Sequence, residues 1–107
     1  MMTYLISYEL SNPNQQKQLL SEAIMSLGES WARPLDNTWY IRTKEREERL
    51  KEKLGRIIKG DDAFLIQTVD EEVTLVNTSM RWFKQKSSNY KFLENKKYPE
   101  FQYIVSF

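Results

Sequence analysis

Glu9 closes an alternating apolar run, residues 3–10 (TYLISYEL), and is the sharpest chemical candidate in the chain. The sequence has no His and no Cys. That removes thiolate catalysis, Cys-ligated metals, disulfides and the commonest general base. The serines have no His partner, so a Ser–His–Asp triad is excluded. The only glycines are Gly28, Gly55 and Gly60, which make no glycine-rich phosphate loop. What is left is carboxylate, hydroxyl, Lys and Tyr chemistry.

A second group of residues suits binding. Trp31 and Trp39 flank a short turn, with Arg33 and Arg42 on the same segments and Tyr8 beside Glu9. Arginine meets phosphate through a planar donor fork, and aromatic rings stack on bases. Arg81, Lys84, Lys86, Lys91, Lys96 and Lys97 follow, with Tyr90, Phe92 and Tyr98 among them. Each has an ordinary explanation as well: tryptophans as core anchors, arginines paired or solvated, a charged tail in water. Asp36, Asp61 and Asp62 fit turn chemistry.

These side chains need elements to hold them. Residues 3–10 alternate as a strand, with Tyr4, Ile6, Tyr8 and Leu10 on one face and Thr3, Leu5, Ser7 and Glu9 on the other. Asn12 and Pro13 mark a helix start, Leu19, Leu20, Ala23, Ile24 and Leu27 form its stripe, and Gly28 ends it. Residues 30–35 and 38–42 flank Asp36-Asn37, a two-residue hairpin turn whose side chains tolerate positive φ. Residues 44–58 form a second helix with Leu50, Leu54, Ile57 and Ile58 inward. Glu45/Arg49, Glu47/Lys51 and Glu52/Arg56 lie on its outer face. Gly55 inside that helix suggests a close backbone contact. Residues 63–69 form a fourth strand. The order βαββαβ predicts an α+β, ferredoxin-like plait with both helices on one sheet face.

The core is therefore residues 1–70, with 71–107 a C-terminal extension of the same domain. In the extension, residues 72–76 read as a short edge strand, and Thr78 or Ser79 as the cap of a short helix holding Met80, Trp82 and Phe83. Residues 87–100 read as irregular, and 101–107 as a strand added to a sheet edge. The 107 residues carry 16 basic and 15 acidic side chains, a net charge of +1. Six of those bases and only two of the acids fall in residues 80–107. No apolar run reaches the ~20 residues of a membrane span, so no membrane association and a cytoplasmic location are expected. The incompletely covered sheet face and its strand edges predict a homodimer.

The segments TYLISYEL, SLGESWARPLDNTWYIRT and DDAFLI resemble the small CRISPR-associated ferredoxin-like proteins. Their stand-alone SinR-like relatives are nearer still, and the VapD-type endoribonucleases are more distant. The resemblance covers roughly residues 1–70. It implies a nucleic-acid-associated dimer acting on RNA or DNA, with a magnesium-dependent phosphodiester hydrolysis in which a first-strand Asp from each protomer holds the metal. Glu9 occupies that position here, one methylene longer. The alternative implied by the change is a non-catalytic dimerisation or protein-interaction module on the same fold.

Overall fold

In the computed structural model the described residues are 1–86, 89–92 and 102–106. The elements run β1 (Met2–Glu9), α1 (Pro13–Leu27), β2 (Ser30–Leu35), β3 (Thr38–Thr43), α2 (Glu47–Gly55) and β4 (Ala63–Thr68). They continue with β5 (Glu72–Val76), β6 (Trp82–Lys86), β7 (Asn89–Phe92) and β8 (Gln102–Ser106). The main sheet has the order β4-β1-β3-β2-β6-β7, and β5 and β8 form a separate two-stranded sheet. Every pairing is antiparallel. Among the described residues this is an α+β arrangement with two helices on an antiparallel sheet, compatible with a ferredoxin-like plait.

Strand alternation decides the two faces of the sheet. Tyr4, Ile6 and Tyr8 of β1 join Trp31, Trp39 and Ile41 in a buried cluster under the helices, with Leu20, Ala23, Ile24, Leu27, Leu50 and Leu54. Leu19 is not part of the α1 stripe but half exposed, and Gln16 is buried in its place. One residue on a helix is ~100° of rotation, so Leu19 and Leu20 cannot both point inward. Asn12 precedes α1 without a side-chain cap bond. Gly28 follows it in extended backbone, where a Cβ would stand 2.9 Å from the Ser30 carbonyl oxygen and 3.0 Å from the Ile41 Cβ. Glycine is needed there for close approach to the sheet.

Other expectations are corrected. α2 is shorter than 44–58, and Ile57 and Ile58 pack against the core after it ends. A Cβ at Gly55 would meet nothing within 4 Å, so no close contact calls for that glycine. The Leu35↔Thr38 pair closes the two-residue turn, but Asp36 and Asn37 stay out of positive φ. The register shifts between Ala32 and Leu35, which is where Pro34, lacking an N–H, can be accommodated. Trp82 and Phe83 lie in strand β6 rather than in a short helix, held there by pairing with Ala32 and Trp31 of β2. Residues 89–92, expected to be irregular, pair with β6. The last strand pairs with β5, not with the edge of the main sheet. The remainder of the stretch expected to be irregular, 87–88 and 93–100, lies outside the described residues, as do Lys96, Lys97 and Tyr98.

The opposite face of the sheet carries a smaller cluster of Ala32, Tyr40, Leu75, Met80 and Trp82, with Leu5 and Val73 packed against it. β5 brings Leu75 and Val73 to it. Ser7 and Thr38 face the same way, joined by a 3.3 Å hydroxyl hydrogen bond, and Leu65 beside them is 52% exposed.

Candidate nucleic-acid interface

The β2–β3 hairpin tip is tied to the rest of the molecule by polar contacts. Tyr8 N donates to the Asn37 carbonyl at 3.1 Å, and Asn37 Nδ2 donates to the Tyr8 carbonyl at 3.1 Å. Lys17 Nζ donates to both Asp36 carboxylate oxygens, at 2.8 and 2.9 Å. This Lys17 hydrogen bond and charge, with Arg33 adding to it, hold the Asp36 carboxyl below its ordinary range. Arg33 Nε and Nη2 donate to the Asp36 backbone carbonyl at 3.0 and 2.6 Å. The guanidinium is thereby fixed over the Trp39 ring, 4.9 Å from its centroid.

That stack forms one side of a groove of about 470 Å³ whose lining comes entirely from outside the helices. Trp31, Trp39 and Phe83 provide its aromatic surface, and Arg33, Ser79 and Arg81 its polar margin. The sheet is wider than the helix layer, and β6 extends it beyond the cover of α1 and α2. Thr78 contributes too, and its hydroxyl donates to the Pro34 carbonyl across the same opening. Trp31 and Trp39 are 4% and 3% exposed, so they are core residues whose margins reach the groove rather than open stacking platforms. Tyr8 is buried, and its hydroxyl accepts the Trp39 Nε1 proton at 3.1 Å.

The other cations lie across the sheet. Arg42 stands 4.3 Å over the Trp82 ring. Ser30 sits between Arg42 and Lys84 in register, so one row of the sheet carries a cation on each side of a buried serine. Lys86 ends β6 opposite Asn89. Basic residues therefore lie on both sides of β6: Arg33 and Arg81 toward the groove, Arg42 and Lys84 toward the opposite face.

Glu9 is not brought to them. It is exposed at the end of β1, opposite Ala63 of the edge strand β4. β1 and β6 are three strand spacings apart, about 14 Å. Asp62 nearby is spent on the loop: its Oδ1 accepts from Ser11 N and Oγ at 2.8 and 2.9 Å, and its Oδ2 from Lys59 N at 2.9 Å. The Ser11 backbone bond, then that of Lys59, holds the Asp62 carboxyl below its ordinary range. Among the described residues no three His, Cys, Asp or Glu side chains gather as a metal site. Glu9 offers one carboxylate at this strand end, and a magnesium ion held there would take its other ligands from water, from phosphate or from Glu9 of a second copy.

The sequence reading missed Phe83, Thr78 and Ser79 as groove residues. The signal was the alternation Arg81-Trp82-Phe83-Lys84, which sends Trp82 and Lys84 to one face and Arg81 and Phe83 to the other. Searches against protein-family models, curated proteins and solved structures each return no match. Among the described residues, no helix is long and apolar enough to cross a membrane.

Proposed function

We propose that this chain is a nucleic-acid-associated homodimer built on a ferredoxin-like plait. The observation that carries the reading is the concentration of Arg33, Arg42, Arg81 and Lys84 around β6. Asp61 and Asp62 before β4 and Asp70, Glu71 and Glu72 after it lie at the far edge, while Asp36 is the acid paired with Arg33 at the hairpin tip. A basic region on a nearly neutral chain attracts phosphate locally without a large overall charge. The strand order β4-β1-β3-β2 supports the plait. Support for the dimer comes from β4, an edge strand with no charged residue and with Leu65 half exposed. Natural edge strands are usually guarded by charge.

Binding is tested by fluorescence anisotropy of labelled RNA and DNA with wild type and with Arg33→Gln, Arg42→Gln, Arg81→Gln and Lys84→Gln combined. The reading predicts weaker binding in the combined variant; equal affinity in the two would sink it. A second reading, magnesium-dependent cleavage, is favoured by the exposure of Glu9 on the sheet face left open by the helices. It predicts cleavage with magnesium that disappears in Glu9→Gln while the dimer survives. Absence of cleavage from wild type leaves the non-catalytic binding module.

A further inference from the structure

We propose that the groove between β2, β3 and β6 holds one unstacked base of a single-stranded nucleic acid, a proposal that rests on the nucleic-acid reading above. The groove volume of about 470 Å³ lies within the roughly 300–1,000 Å³ of small-ligand pockets. That is room for a base and its sugar. A base inside a duplex is already stacked on both sides and would have to leave the stack to enter, at a cost of a few kcal/mol. A single strand presents its bases without that cost.

The chemistry of the lining matches the two halves of a nucleotide. Phe83 and the margins of the nearly buried Trp31 and Trp39 make one wall apolar, which favours a base over a bare phosphate. Arg33 adds a flat guanidinium, and guanidinium planes are among the surfaces on which single-stranded bases stack. That plane is already set: the Asp36 carbonyl holds it from one side, Trp39 lies beneath it, and Lys17 anchors Asp36. Ordering it in advance lowers the entropy lost on binding. Arg81 and Ser79 at the margin offer charge and a hydroxyl to the phosphate that flanks the base. The site is separate from Glu9 and from the Arg42–Trp82 face, so it selects the form of the strand rather than cutting it.

The test compares four labelled oligonucleotides of one length on the full chain: oligo(dT), oligo(U), a DNA duplex and an abasic single strand with the same backbone. Wild type should bind the single strands with bases about tenfold or more tighter than the abasic strand. Phe83→Ala should remove most of that difference while changing abasic affinity less than twofold, and Arg81→Gln should weaken all single strands alike. The abasic comparison uses wild type alone, so it stands even where Phe83→Ala fails to fold. Equal affinity for the abasic and intact strands, or for duplex and single strand, overturns the base site and leaves nucleic-acid association standing. No binding of any of the four at low salt overturns both.

Discussion

The two faces of the sheet are built from the same strands, yet they are closed in different ways. Among the described residues, twelve buried ones from five elements form one cluster under the helices. On the other side five buried described residues form a second one, closed in part by β5. The first face is made by amphipathic helices whose stripes match the strand alternation. The second depends on a two-stranded ribbon from the end of the chain, and its Leu65 corner stays open. Most of the described core is therefore held by the helices, while the other face keeps an exposed corner at Leu65.

The largest expected effect is at the helix face. Leu54→Ala should cost about 3 kcal/mol in urea unfolding, as a fully buried Leu whose removal leaves a cavity. Leu75→Ala, in the second cluster, should cost about 2 kcal/mol, because the ribbon can settle into the space. An equal or larger loss at Leu75 would break the comparison. Thr43→Val should cost about 1–2 kcal/mol. It strips a buried hydroxyl that donates to the Leu27 carbonyl at 2.8 Å and accepts from Glu45 N at 3.0 Å, joining α1, β3 and the approach to α2.

Legibility in the sequence follows the same division. Tyr4, Ile6 and Tyr8, the inward stripe Leu20, Ala23, Ile24 and Leu27, and the Leu50/Leu54 pair all sit where periodicity places them, since local pattern and burial agree. The extension was harder to read. Met80-Arg81-Trp82-Phe83 is too short for period alone to separate helix from strand, and only pairing with Ser30, Trp31 and Ala32 decides it. The groove was legible in its members but not as a place. Arg33 and Trp39 are six residues apart and Arg81 is far along the chain, so only the strand order brings them together.

Two smaller effects sharpen the contrast. The Asp62 carboxyl is lowered, mainly by the Ser11 backbone hydrogen bond. Its contribution is therefore present above the ordinary carboxylate pKa and lost as pH falls through the lowered one. Urea midpoints recorded down the acid range should fall less steeply for Asp62→Asn than for wild type, and parallel curves would contradict that role. Last, Leu65→Lys should leave the unfolding free energy at high dilution within about 0.5 kcal/mol of wild type. In the proposed homodimer it should nevertheless shift the mass measured by light scattering toward that of the monomer. A dimer unaffected by Leu65→Lys would move the interface away from this corner.

The central claim is that cations gathered around β6 hold the phosphates of a nucleic acid. The most direct measurement is wild-type affinity for a single strand across a series of salt concentrations. Phosphate contacts by these cations predict that log K falls linearly with log salt, with a slope of about −0.7 for each contact on a single strand. A slope near zero, or no binding at the lowest salt, would contradict the account.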